Sequence, residues 1–246
     1  MDVASETGNM RMLILAGGFG SRLQSVLTKV PKALAPVGDK PFLHLQLENW
    51  LAQGARSFVF LLHHQARLIR EFLDLESTTL LRGCDVSIVV EPIPFDTGGA
   101  IAHAVKTLGL EGELLVANAD TWLGAGVHEL MHIDAPSIAV IHLEHTGRYG
   151  KVSFDGQCRI TAFSEKSGIE EQGWINAGMC HLHADMFKSW NGQPFSLERL
   201  VFADLASQGV LRAVPLNTEF IDIGVPNDYF RFCRWIEAGR KGSLCN

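Results

Sequence analysis

Cysteine is sparse and without pattern in this chain. Cys84, Cys158, Cys180, Cys233 and Cys245 are odd in number, form no CxxC pair and show no short His/Cys spacing. That excludes a disulfide framework and a zinc knuckle, and fits reduced thiols in a reducing compartment. Positive charge is also short: 21 Lys and Arg against 27 Asp and Glu give a formal charge of −6. A nucleic-acid or anionic-membrane partner would call for a basic excess, so neither is expected. No apolar run approaches the roughly 18 to 20 residues that span a bilayer. Residues 1–9 are polar, lack the basic-then-apolar order of a signal peptide, and read as a flexible segment. No Pro-, Gly- or Ser-rich linker divides the chain and no internal repeat is present, hexapeptide arrays included. What remains is a chain of 246 residues, 47% hydrophobic, long enough to bury a sizeable core. A soluble cytoplasmic protein with one domain over residues 10–246 is the expectation.

Short apolar runs at 10–16, 57–62, 86–91, 114–118 and 137–142 read as buried strands, and 42–51, 66–73 and 99–108 between them read as helices. Strand–helix–strand order repeated in this way predicts an α/β, Rossmann-like, mainly parallel sheet flanked by helices. Ligands bind such sheets at the carboxyl ends of the strands, so residues directly after strands carry most interest. From about residue 147 the texture changes. Segments 151–154, 159–163 and 176–183 read as antiparallel strands, followed by helices at 197–208 and 227–237. The division falls between a part at 10–146 and a mixed β lobe at 147–246.

Directly after the first strand stand Ala16-Gly17-Gly18-Phe19-Gly20-Ser21-Arg22-Leu23. Glycines at a strand-to-helix turn let the backbone approach a ligand and aim its N–H groups at an anion. The dinucleotide pattern GxGxxG fails here, because its third glycine position is Leu23, and a Walker loop would need GKS or GKT. The next segment is Pro31-Lys32-Ala33-Leu34. Together the two segments resemble the opening signature of the sugar-1-phosphate nucleotidyltransferases, GGxGxRL followed by PKPL. The resemblance runs from residue 12 to about residue 234, with motifs in family order. Within the family, Phe195-Ser196-Leu197-Glu198 and the run 220–226 are most similar to the D-glycero-α-D-manno-heptose 1-phosphate guanylyltransferases. Ala33 departs from the family, where proline is usual.

The resemblance implies a nucleotidyltransferase, GT-A-like fold in which 10–146 binds nucleotide and 147–246 binds sugar. It implies that Ala16, Gly17, Gly18, Gly20 and Ser21 cradle the triphosphate, with Arg22 and Lys32 as the cations that the bulk composition lacks. The segment Glu91-Pro92-Ile93-Pro94-Phe95-Asp96-Thr97-Gly98-Gly99 is similar to the family's GTGGA stretch beside the nucleobase, and assigns Glu91, Thr97 and Gly98 to the nucleotide. Asp96 stands where glycine is common; read locally, Asp96 or Thr97 is a helix N-cap. Asn118-Ala119-Asp120 resembles the NGD motif, with alanine for glycine. It places Asn118 on the nucleotide and Asp120, with Asp222, on a divalent cation, Mg2+ by the hardness of the ligands. Tyr149, Gly150, Glu165, Lys166 and Asn176 match segments that line the sugar pocket, Lys166 gripping the acceptor phosphate. The ten histidines are scattered; His63-His64 has no third ligand, and all read as structural or exposed.

The reaction implied joins a sugar 1-phosphate to a nucleoside triphosphate, releasing pyrophosphate, with Arg22, Lys32, Asp120 and Asp222 as its catalytic groups. GTP is the expected nucleotide and a manno-heptose 1-phosphate the expected acceptor, in a monomer or small homo-oligomer. Guanine offers adjacent N1–H and N2–H donors that a carboxylate such as Glu91 accepts as a pair. The rivals are a UTP-using relative, a catalytically silent nucleotide-sugar binder, and a glycosyltransferase. The last usually carries DxD, and Asp120-Thr121-Trp122 is not one.

Overall fold

The computed structural model describes residues 10–23, 26–27, 30–164, 168 and 170–244, with Ser21 described in its backbone only. Its strands and helices follow in chain order. β1 (Arg11–Leu15) leads through β2 (Pro36–Val37) and β3 (Lys40–Pro41) to α1 (Phe42–Ala52), then β4 (Ser57–Leu62) and α2 (Ala66–Glu76). Next come β5 (Asp85–Val90), α3 (Asp96–Leu108), β6 (Glu113–Asn118), β7 (Thr121–Leu123), α4 (Val127–Met131) and β8 (Ser137–Leu143). The last third holds β9 (Lys151–Phe154), β10 (Ile160–Ser164), β11 (Gly173–His183), α5 (Ala203–Ser207), β12 (Arg212–Leu216), β13 (Phe220–Asp222) and α6 (Pro226–Glu237). The expected helix at 197–208 is a π-helical stretch, Leu197–Phe202, running into α5.

Alternation along the strands explains the layers. In β1, Met12 and Ile14 join one core with Leu43, Leu47 and Trp50 of α1 and Ile69 and Leu73 of α2. Leu13 between them points the other way, into a core with Ile101, Ala104 and Val105 of α3 and with Leu197 and Phe202. Successive strand side chains face opposite sides, so one buried strand holds helices against both faces of the sheet. This is the α/β arrangement expected. Among the described residues no helix is long and apolar enough to cross a membrane.

Strands β5, β4, β1 and β6 lie side by side and parallel. The parallel run then stops. β8, which follows β6 and β7 in the chain, is separated from β6 by β11, which is antiparallel to both. β12 adds to β8 in parallel, and β9 and β10 extend from the start of β11. β11, eleven residues long, lies between the two: it pairs with β6 over 179–183 and with β8 over 173–176 and again at 180–181, with a register break between Asn176 and Cys180 in the pairing to β8. The second half of the chain therefore continues the same nine-stranded sheet. A third core, built by Phe42, Trp122, Ile221, Phe232 and Trp235, fastens α6 to α1 and to the ribbon of β7 and β13.

Candidate active site

The glycine turn leaves β1 at the carboxyl edge of the sheet. Ala16 N–H donates to the Leu61 carbonyl at 3.0 Å, so the turn starts from a fixed strand end. A Cβ on Gly17 would come within 3.1 Å of Glu91 Oε1 and 3.2 Å of the His63 backbone, which only glycine allows without movement. At Gly18 no described atom lies within 4 Å of where a Cβ would stand; the space in front of it is open. Gly20 adopts φ +61°, the left-handed region suited to glycine, and packs against the Lys32 stem. Arg22 is exposed on the turn that follows.

Lys32 begins a 3-10 turn in which Leu34 N–H donates to Pro31 O at 2.8 Å and Ala35 N–H to Lys32 O at 3.0 Å. Ala33, in place of the usual proline, is buried in the core, and the turn closes around it. Lys32 Nζ donates to Asp120 Oδ2 at 2.6 Å. Asp120 lies between β6 and β7. Its turn is anchored from α1, where buried Gln46 donates to the carbonyls of Asn118 (3.1 Å) and Thr121 (2.8 Å). Ala119, the family's glycine, is buried and donates its N–H to Leu15 O at 3.1 Å.

Asp222 arrives from far along the chain. In the β13–β7 ribbon it pairs with Thr121, the residue after Asp120, and Ile223 N–H donates to Asp120 O at 3.0 Å. Burial, and then the Asp120 carboxylate beside it, push the Asp222 carboxyl above the usual carboxylate range. Lys32, Arg148 and the Gly224 N–H, which donates to Asp222 Oδ1 at 2.7 Å, work in the opposite direction. Two carboxylates brought together in this way are hard oxygen donors suited to a divalent cation, with room left for phosphate oxygens and water.

On the other side of the glycine turn a cavity of about 460 Å³ is lined by Gly17, Gly18, Glu91, Thr97, Asn118 and Asp120, together with Phe19 and His63. Glu91 is buried, which pushes its carboxyl up. Its Oε2 accepts Phe95 N–H at 2.8 Å, while Oε1 faces Gly17. The expected N-caps of α3 are not found. Phe95 is the N-cap residue, without a side-chain cap bond, and Asp96 is already the first helical residue, at φ +62°. A left-handed residue explains why glycine is common there; aspartate tolerates the region better than most, and its Oδ1 accepts Thr97 N–H at 2.7 Å.

The far side of this rim is clasped by 195–198. Thr97 Oγ1 donates to Glu198 Oε2 and accepts Leu197 N–H, both at 2.8 Å. Phe195 O accepts the N–H groups of Gly98 (3.0 Å) and Gly99 (3.2 Å). Gly98 thus faces Phe195. A Cβ on Gly98 would lie 2.2 Å from the Phe195 ring. Gly98→Ala is therefore expected to lose about 1 to 3 kcal/mol of stability through overpacking, lowering Tm by ~2 to 4 °C per kcal/mol in a thermal melt. An unchanged melt would mean that the clasp is not seated as described.

On the sugar side, Tyr149 is partly buried, its ring 5.9 Å from that of Phe220 and its hydroxyl against the Asp222 backbone; burial raises its pKa. A Cβ on Gly150 would touch Ser164 O at 3.0 Å. Asn176 Oδ1 accepts Gly178 N–H at 3.0 Å, at the register break of β11. Glu165 and Lys166 lie outside the described residues. The structure thus brings Lys32, Asp120 and Asp222 together and gathers Gly17, Gly18, Glu91, Thr97 and Asn118 around one cavity. Sequence reasoning missed Gln46, Arg148 and the clasp at Thr97. It also read His63 and His64 without reference to the cleft, yet His63 lines the cavity and donates Nδ1–H to Glu91 O at 3.1 Å, and both rings contact Phe19.

An open, mainly parallel sheet with a cavity at its carboxyl edge is an architecture for holding a nucleotide. The family model described as nucleotidyl transferase matches residues 11–238. D-glycero-alpha-D-manno-heptose 1-phosphate guanylyltransferase of Campylobacter jejuni is 32% identical, over 91% of this chain and 98% of that protein. The mannose-1-phosphate guanylyltransferase catalytic subunit beta of Danio rerio is 29% identical over 94% of this chain, which spans 66% of it. Among solved structures, HddC from Yersinia pseudotuberculosis complexed with GMP-PN superposes with a TM-score of 0.80 at 28% identity, covering 92% of this chain and 99% of that one. The chain belongs to the nucleotidyl transferase family, as a member of its sugar-1-phosphate class.

Proposed function

We propose that this enzyme condenses GTP with D-glycero-α-D-manno-heptose 1-phosphate, giving GDP-heptose and pyrophosphate, in the cytoplasm. The observation that carries the reading is the cavity beside the glycine turn, which has Glu91 at one end and Asp120, next to Asp222 and Lys32, at the other. A base at Glu91 would put its phosphates towards the carboxylate pair. The guanylyl relatives and the guanine nucleotide in HddC support GTP; the Campylobacter relative supports the heptose.

In this reading residues 10–146 hold the nucleotide and 147–246 the sugar. Arg22 and Lys32 hold the triphosphate against the backbone of residues 16–21, with Asn118 and the Thr97–Gly98 rim beside the nucleoside. Tyr149, Gly150, Glu165 and Asn176 orient the sugar, and Lys166 holds its phosphate. A phosphate monoester has a second pKa near ~6, so the acceptor arrives largely deprotonated and needs no strong general base. Its oxygen attacks the α-phosphorus in line as pyrophosphate leaves opposite; holding two polyanions in that line is the chain's main task. Asp120 and Asp222 would hold Mg2+, which when bound supplies charge stabilisation and a template for the phosphates.

The test is pyrophosphate release from each of four NTPs paired with several sugar 1-phosphates. GTP with the manno-heptose 1-phosphate should give the highest kcat/KM. A preference for UTP would point to a uridylyltransferase, and no release from any pair to a silent binder.

A further inference from the structure

We infer that Arg148 is a second cation for the acceptor phosphate, and that Asp228 is the positioning residue that aims it; the inference rests on the reaction proposed above. Arg148 lies in the loop between β8 and β9, directly before Tyr149. Its guanidinium pairs with the Asp228 carboxylate, and another of its nitrogens stands 3.9 Å from Asp222 Oδ2. It also stacks over the Tyr149 ring, 5.4 Å from the centroid. Arg148 therefore sits where the carboxylate pair meets the expected sugar pocket.

Asp228 makes the case. It is only 6% exposed, in the first turn of α6, and also pairs with Arg231 at 3.1 Å. A buried carboxylate is costly to keep, and replacing such a pair by apolar residues is often neutral or stabilising. Fastening the loop to α6 would not need charges. What a carboxylate does that an apolar contact does not is fix the plane and direction of a guanidinium. A fixed guanidinium is suited to phosphate, which it binds through two parallel N–H donors.

The charges nearby point the same way. A phosphate entering beside Tyr149 meets Asp222 and Asp120, while Lys32, paired with Asp120 at 2.6 Å, is the cation assigned above to the triphosphate. Arg148 keeps about a third of its side chain exposed beside these groups and its contact with Asp222 is long, so a phosphate oxygen can replace that contact without breaking the Asp228 pair.

Initial rates of pyrophosphate release, with GTP and α-D-mannose 1-phosphate or heptose 1-phosphate varied in turn, test the proposal on the full chain. Arg148→Ala should raise the acceptor KM at least about tenfold and leave the GTP KM within about twofold. Arg148→Lys should recover part of the loss, since it restores charge but not the fork. Asp228→Asn should shift the same KM in the same direction by less. An acceptor KM that stays within about twofold in Arg148→Ala, or a rise shared equally by both substrates, would overturn it. If Arg148→Ala misfolds, Arg148→Gln carries the same comparison. Calorimetric titration with α-D-mannose 1-phosphate reads the contact without turnover. A wild type that bound this sugar phosphate and lost it in Arg148→Ala, yet released no pyrophosphate, would sink the proposed reaction alone; unchanged affinity in Arg148→Ala would sink this inference alone.

Discussion

Asp222→Asn is expected to lower kcat/KM by at least about a hundredfold, roughly 2.7 kcal/mol of transition-state stabilisation, and Asp120→Asn by a similar factor. Both changes keep size and remove charge. The fold should tolerate them: the Asp222 carboxyl is already pushed up by burial and by Asp120, so its ionised form is held at a cost. Removing that charge relieves the cost, and an asparagine oxygen still accepts the Gly224 N–H. Asp120→Asn loses the ion pair to Lys32 but keeps an acceptor at 2.6 Å. Thermal melts within a few degrees of wild type, beside the rate loss, are the expected pair of results. EDTA should abolish turnover and Mg2+ restore it. Full activity in either variant, or undiminished turnover in EDTA, would remove these carboxylates from the metal site.

The second large effect concerns the base. Glu91→Gln should cut the preference for GTP over UTP, expressed as a ratio of kcat/KM, by the ~1 to 3 kcal/mol that one bidentate pair contributes to discrimination. A glutamine keeps one oxygen for the Phe95 N–H, now shared with Glu91 Oε2 at 2.8 Å, so the rim of the cavity should hold. Its amide would face Gly17 and present a donor where guanine also donates. Uracil offers one N–H between two carbonyls that a carboxylate repels and an amide does not, so UTP should gain as GTP loses. Burial pushes the Glu91 carboxyl up, and two N–H donors from guanine would stabilise the ionised form again. A GTP preference untouched by the change would show that Glu91 forms the rim and does not read the base.

Much of this was legible in the sequence, for local reasons. The central strands are apolar runs bounded by turns, and the expected strand at 57–62 has the limits found. The glycine turn and Lys32 announce themselves by motif, and the structure sets them side by side. What could not be read depends on contacts between distant segments. The insertion of β11 between β6 and β8 is a matter of strand order, to which alternation along one strand is blind. The pairing of Asp222 with Asp120 was named by resemblance alone, because the ribbon that joins them has three-residue strands, too short to show a period. Gln46 sits inside an apolar helix, and its polarity makes sense only once the Asp120 turn is seen against it. The segment 195–198 was singled out by resemblance alone. Its partner, Thr97, lies about a hundred residues earlier, and the bond from the Thr97 hydroxyl to Glu198 leaves no trace in the local sequence. Arg148 and Asp228 did leave a signal, one directly before Tyr149-Gly150 and the other two residues after Pro226.

The central claim is that a sugar phosphate oxygen attacks the α-phosphorus of GTP and expels pyrophosphate. Phosphorus-31 NMR of the full chain with GTP, manno-heptose 1-phosphate and Mg2+ tests it directly. The account predicts that the acceptor's monoester signal and the three GTP signals decline together. A coupled pair from a sugar-nucleoside diphosphate and a single pyrophosphate line should replace them, one of each per GTP consumed. GDP with inorganic phosphate, or GTP loss that leaves the acceptor signal intact, would contradict it.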